Sequence, residues 1–341
     1  MSNTKKADIL FCSMVLIHMG VMLGFRFSTI KINISTNQSL ILSQLLILTP
    51  VAIYLIITKT NPIKLIRFKR IDFATILMVI LLTILIMPLI TFVNALSMLY
   101  SENIVTNLSS EMTGNPFLVN LILMAVIPAI SEEFVFRGVL FHTYRKSSVL
   151  YGAIISGIVF GLMHMNFNQF SYAFVLGIIF ALILEATGSI FATMLAHFII
   201  NGNSVVLMSM SGKLLNALGQ GSDQATLQSQ MTPQYLMMVA AVYGMISIVT
   251  TALAIGVYIW LVKHCNRVNH MKAVIAIRTG ENRFDIRKAI SIWLIVGVIA
   301  CVTFMFYYEI NQSDVSQNSQ VEQNIDSVED NSIQIAPFII S

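Results

Sequence analysis

Charged residues are scarce in this chain. Only 11% of its 341 residues are charged, 56% are hydrophobic, and the mean hydropathy is +0.80. A soluble globular domain carries about 25% charged residues. The shortage excludes an ordinary soluble protein and indicates an all-α, polytopic transmembrane helical bundle.

Cysteine is equally scarce. Cys12, Cys265 and Cys301 are scattered through the chain and form no Cys-x-x-Cys pair. This spacing excludes a disulfide framework and a zinc knuckle. A leader cleavage site is also missing, because Arg26-Phe27 follows the first apolar run instead of a small-x-small sequence. We therefore expect that run to be an uncleaved first span.

Apolar runs long enough to cross a bilayer are abundant, and counting runs of about 17–25 residues predicts about nine spans. They lie at 9–25, 40–58, 74–98, 117–143, 149–166, 171–186, 189–208, 235–262 and 290–310. Most of the 20 Lys and Arg residues fall in alternate loops, which predicts a cytoplasmic N-terminus and an odd number of spans.

Three ionisable residues interrupt the fourth run. Glu132, Glu133 and Arg137 lie within six positions of apolar sequence, and each costs roughly 2.5–3.5 kcal/mol at bilayer mid-depth. Glu133 and Arg137 are four residues apart, so they share a helix face and can form an ion pair. Glu132 points about 100° away from Glu133 and is expected to face a cavity.

Further polar residues lie in later spans. His164 follows Phe160 by four residues, and Asn201 follows His197 by four, so each pair shares a helix face. A carboxylate and an imidazole can activate a water, while an amide and a second imidazole can stabilise an oxyanion. Alternatively, Glu132, His164 and His197 could bind a divalent metal such as zinc, although no His-Glu-x-x-His motif is present.

Three motifs in this order, Glu132-Glu133-x-x-x-Arg137, Phe160-x-x-x-His164 and His197-x-x-x-Asn201, resemble the type II CAAX prenyl endopeptidase family. This family is also called the CPBP family. It includes bacteriocin-processing, self-immunity and lysostaphin-resistance-like proteins. The resemblance covers roughly residues 117–205.

The resemblance implies a role for each matched residue. Glu132 would activate the water and His164 would be its partner, while His197 and Asn201 would stabilise the oxyanion. Glu133 and Arg137 would hold the site in shape. Members have been labelled metalloproteases, but a glutamate-activated water without bound metal is the favoured mechanism for the family. A prenylated Cys-a-a-X substrate is not carried over to this chain.

The chain thus divides into four predicted parts. Residues 1–116 would form N-terminal transmembrane helices and 117–205 the CPBP-type catalytic core. Residues 206–310 would form C-terminal transmembrane helices, with a basic cytoplasmic loop at 263–289 that either meets anionic lipid headgroups or serves only as an orientation signal. Residues 311–341 lack Lys and Arg and are predicted to be a disordered polar tail.

The leading hypothesis is an intramembrane endopeptidase in a bacterial plasma membrane. Its expected partners are membrane lipids and a peptide or membrane-protein substrate, with no nucleic acid. A non-catalytic immunity or scaffold protein of the same fold is the alternative. A transporter or proton relay ranks last, because the sequence has no defensible inverted repeat.

Overall fold

A computed structural model describes residues 3–27, 34–101, 103, 112, 114–146, 148–217, 231–275 and 290–322. This part of the chain is helical and contains no strand. The helices are α1 (Asn3–Phe27), α2 (Thr36–Ile57), α3 (Pro62–Leu65), α4 (Phe73–Ser97), α5 (Phe117–Tyr144), α6 (Val149–Leu162), α7 (Phe167–Thr187), α8 (Ile190–Ala217), α9 (Pro233–His264), α10 (Val268–Ile275) and α11 (Ile292–Glu322).

Eight of the described helices are long and apolar enough to cross a membrane, which confirms a polytopic helical bundle. The fifth predicted span, 149–166, is not among these eight, because its helix is shorter than expected. Helix α6 has 14 residues and ends at Leu162, so His164 lies in a turn after the helix instead of within it. The orientation of the N-terminus stays a prediction.

Two glycines bring α6 and α7 into direct backbone contact. A Cβ atom added to Gly177 would lie 2.5 Å from the Cα of Gly157. Such close approach requires small residues and is a common way of packing helices in membranes. The glycine contact therefore fixes the position of the turn between α6 and α7, which carries His164.

The loops that follow α2, α5, α7 and α9 meet at one end of the bundle. The backbone N–H of Ile190 donates to the carbonyl of Arg67 at 3.0 Å, and Arg145 lies 2.9 Å from Glu185. Arg267 donates to the carbonyl of Glu185 at 3.0 Å. These contacts place the loops on one side of the bundle, and we call this region the basic end.

Gly188 makes the reversal between α7 and α8 possible. It ends α7 in the left-handed region, at φ 70°, where residues with a Cβ atom are strained. The Ser189 hydroxyl accepts from the N–H of Phe191 and caps the start of α8. Glu185 and His197 are thus held on two helices joined by a two-residue connection.

Parts of the predicted domain division fall outside the described residues. They include most of the basic loop, at 276–289, and the end of the tail, at 323–341. Helix α11 continues to Glu322 and overlaps the first part of the segment predicted as a tail.

Candidate active site

Helix α5 carries the three ionisable residues and is not a regular α-helix. It is wound as a π-helix over Ile122–Val126 and again over Glu133–Phe141. Such segments are rare and frequently mark functional sites. The side chains of Glu132, Glu133 and Arg137 are fully buried, so none of them faces lipid.

Glu133 and Arg137 form the predicted ion pair. Nη1 of Arg137 donates to Oε1 of Glu133 at 2.9 Å. The guanidinium carbon also lies 4.3 Å from the ring centre of Phe160 and 5.0 Å from that of Phe180. Aromatic faces attract a cation most strongly where water is excluded, so both rings help to hold this buried charge.

His197 lies between the two carboxylates. Its Nδ1 is 3.0 Å from Oε1 of Glu133, and its Nε2 is 3.8 Å from Oε2 of Glu132. The ring stacks on Phe180 with centres 5.2 Å apart. When Nδ1 carries the proton that Glu133 accepts, Nε2 of the neutral ring is an acceptor directed at Glu132.

Glu132 has a partner that the sequence analysis missed. Nε2 of Gln44, on α2, donates to Oε1 of Glu132 at 3.2 Å. The hydroxyl of Ser131 in turn donates to Oε1 of Gln44. Within the described residues, Oε2 of Glu132 has no hydrogen-bond partner. The sequence feature that could have identified Gln44 as a site residue is that it is the single amide side chain in the apolar run 40–58.

His164 reaches this cluster through Phe160. Its Nδ1 donates to the Phe160 carbonyl at 2.9 Å, and the two rings meet edge to face with centres 5.0 Å apart. Phe160 also lies 5.9 Å from the ring of His197. His164 makes no direct hydrogen bond to Glu132 in the described part of the chain. The imidazole that the structure brings beside Glu132 is therefore His197.

Asn201 connects two helices of the site. Its Nδ2 donates to the carbonyl of Met124 at 3.1 Å, within the first π-helical segment of α5. This bond ties α8 to the helix that carries Glu132. One of the two amide hydrogens of Asn201 is therefore bonded to a backbone carbonyl, and the other is left for a further acceptor.

Comparisons with known proteins match the part of the chain that carries these residues to one family. Residues 114–202 match the family model described as Type II CAAX prenyl endopeptidase Rce1-like. The resemblance to the type II CAAX prenyl endopeptidases is thereby confirmed. We call residues 114–202 the Rce1-like segment. It contains all six predicted site residues, whereas Gln44 lies outside it.

One curated relative shares part of this chain. The chain is 29% identical over 108 residues to a Bacillus subtilis (strain 168) protein named "Putative membrane peptidase YdiL". The alignment covers 31% of this chain and 43% of that protein, so it spans less than half of the relative. No solved structure matches the chain. The matches support a membrane protease-like function.

Two histidines of the Rce1-like segment are oriented as metal-binding histidines are. His164 and His197 each direct Nδ1 at an acceptor and leave Nε2 available, as metal-binding histidines do. However, no three His, Cys, Asp or Glu side chains of the described residues come together in a set that could hold one ion. The arrangement of Glu132, His164 and His197 therefore does not fit a metal site.

Proposed function

We propose that this protein is an intramembrane endopeptidase in which Glu132 activates the attacking water. The observation that carries the proposal is the environment of the Glu132 carboxylate. The side chain is fully buried, Gln44 holds one oxygen, and the other oxygen faces Nε2 of His197 at 3.8 Å. A buried carboxylate with one free oxygen is suited to act as a general base.

In the proposed reaction the water donates a proton to Oε2 of Glu132, and its oxygen attacks the carbonyl carbon of the scissile amide. The carbonyl oxygen becomes an oxyanion. The proton on Glu132 then passes to the amide nitrogen, the carbon–nitrogen bond breaks, and a carboxylic acid and an amine are released. Glu132 returns to its starting state, so no further reactant is consumed.

His197 is placed to orient the water together with Glu132. Its neutral ring offers an acceptor at Nε2, and it would donate to an oxyanion from that atom only as the imidazolium. His164 has the same constraint, because the Phe160 carbonyl accepts from its Nδ1. Asn201 has a second amide hydrogen that could stabilise the oxyanion. We assign Asn201 to that side of the reaction, whereas the neutral ring of His164, like that of His197, offers only an acceptor at Nε2.

Glu133 and Arg137 are proposed as positioning residues. Glu133 accepts from both Arg137 and His197, so it fixes the ring of His197 without facing the substrate itself. The ion pair also leaves little net charge beside Glu132. This arrangement would keep the attacking group oriented while the bundle excludes bulk water.

The proposed substrate class rests on the position of Glu132 near the middle of α5, a helix long enough to cross a membrane. The proposed substrate is a membrane-associated peptide or protein, and membrane lipids are the surrounding partners. A bacterial plasma membrane is the proposed location.

The decisive experiment compares membrane-associated peptides from cells that produce either the wild-type protein or Glu132→Gln. We expect new peptide ends only with the wild type. Glu309→Gln is the matched control, because it removes a carboxylate of α11 that bonds Ser101 away from the site. Equal cleavage by wild type and Glu132→Gln would contradict the proposal. A biological phenotype that survives in Glu132→Gln without cleavage would favour the non-catalytic immunity or scaffold alternative.

A further inference from the structure

A second fully buried carboxylate lies outside the candidate active site. Glu185, on the last turn of α7, is surrounded by cationic side chains at the basic end. Arg145 lies 2.9 Å from it, Arg267 3.5 Å and Arg67 3.6 Å, and Nε2 of His270 is also in contact. The proposed hydrolysis does not use this cluster.

The cluster has more positive than negative charge. Among the residues that the structure describes, three guanidinium groups surround one carboxylate, and His270 adds a further positive charge when it is protonated. Asp72, at the same end, is already paired with His264 at 3.1 Å. A partly buried surplus of cations is costly unless an anion joins it.

A small cavity adjoins the cluster and has no carboxylate among its lining residues. Its polar lining comes from Arg67, Arg137, Arg145 and His142. Nη1 of Arg67 is buried and has no hydrogen-bond acceptor among the residues that the structure describes. The cavity, of about 10 Å³, holds one oxygen-sized group, so a larger anion would place one oxygen inside and the rest at the surface.

The cations are accessible from outside the bundle. The side chain of Arg67 is 27% exposed and that of Arg267 is 24% exposed, while Glu185 beneath them is fully buried. The carboxylate thus holds the inner side of each guanidinium. The exposed parts of Arg67 and Arg267 can be reached by a ligand from the surface of the basic end.

We propose that Arg67, Arg145 and Arg267, held around Glu185, form a binding site for a phosphate-bearing anion. Guanidinium groups present paired N–H donors that match two phosphate oxygens. The site lies where several membrane helices end, so the phosphate can belong to an anionic phospholipid headgroup or to a free phosphate. Glu185 positions the three cations and is not itself a ligand.

The test uses the full-length protein in nanodiscs of phosphatidylcholine, with or without phosphatidylglycerol, and native mass spectrometry to count retained lipids. We expect retained phosphatidylglycerol, with about fivefold weaker retention in Arg67→Gln, since one cation near an anionic surface contributes about 1 kcal/mol. Lys272→Gln is the matched control, because it removes an equal but exposed charge from α10.

A second experiment tests the free anion. Inorganic phosphate is added to the protein in a phosphate-free detergent, and the unfolding temperature is measured.

If the retention of phosphatidylglycerol falls only in Arg67→Gln, a headgroup site is supported. If phosphate raises the unfolding temperature of the wild type but not of Arg67→Gln, a free-phosphate site is supported. Equal effects of Arg67→Gln and Lys272→Gln would overturn the proposal, because they would indicate a non-specific electrostatic attraction of anions to the basic end. If Arg67→Gln does not fold, a photoreactive phosphatidylglycerol is used on the wild type. Crosslinks to peptides that contain Arg67 or Arg145 support the site, and crosslinks that avoid them overturn it.

Discussion

The ring of His197 joins Glu132 and Glu133. Its Nδ1 lies 3.0 Å from Oε1 of Glu133, and its Nε2 lies 3.8 Å from Oε2 of Glu132. The two glutamates are consecutive in the sequence but differ in their partners. Glu133 is neutralised by Arg137 at 2.9 Å, whereas Glu132 is held by an uncharged amide. This difference is the reason that we propose the reactive role for Glu132 and the positioning role for Glu133.

Replacing Gln44 tests whether the orientation of Glu132 matters. Gln44→Leu removes the donor to Oε1 of Glu132, and we expect cleavage to fall about tenfold, because a hydrogen bond to a charged group contributes about 1.5–3 kcal/mol. Ser43→Ala is the control, since the Ser43 hydroxyl bonds only its own helix at Leu40. Initial cleavage rates and unfolding temperatures are measured for both. A normal rate in Gln44→Leu would show that Glu132 needs no support from α2.

The buried ion pair is suited to a double-mutant cycle. Arg137→Gln or Glu133→Gln alone leaves an unpaired charge inside the bundle, so each should destabilise the protein by about 3–5 kcal/mol. The double variant should cost less than the sum of the two. Denaturation in detergent measures stability, and cleavage is measured in parallel. We expect activity to stay low in the double variant, because His197 loses the charged acceptor that holds its ring. Additive losses of stability would contradict a direct pair.

Phe160 should contribute to both the stability and the cleavage activity of the protein, although its side chain is apolar. It is buried and contacts Arg137, His164 and His197, so Phe160→Ala removes a ring shared by three site residues. We expect a loss of stability of about 3–5 kcal/mol and a loss of cleavage. The milder Phe160→Leu should retain the fold and still cleave slowly. Phe117→Leu, at a position 42% exposed, is the control and should leave both measurements unchanged.

The contact between α6 and α7 gives a prediction about packing. Gly177→Ala places a methyl group 2.5 Å from the Cα of Gly157, so the two helices must separate, at a cost of about 1–3 kcal/mol. The shift should also move the turn with His164 and lower the cleavage rate. Gly256→Ala is the control, since nothing lies within 4 Å of the added atom. It should be neutral or slightly stabilising. Equal unfolding temperatures for the two variants would contradict the packing explanation.

Several features could be predicted because they depend on local sequence. The apolar runs set the spans, since a helix needs about 20 residues to cross the hydrocarbon. The Glu133–Arg137 pair follows from their spacing of four residues on one helix. The burial of Glu132 was expected because this residue lies inside an apolar run. The length of α6 was overestimated, because apolar residues continue through the turn after Leu162.

Other features were decided only by the tertiary structure. The family resemblance implied His164 as the partner of Glu132, whereas the structure places Nε2 of His197 3.8 Å from Glu132. Gln44 stands out in the sequence as a lone amide, but only the structure shows that it bonds Glu132 and that three arginines surround Glu185. Helical spacing fixes which residues share a face, but only packing decides which helices are neighbours and at what depth they meet. Each of these contacts joins helices that are far apart in the chain, and that is why the sequence alone did not determine them.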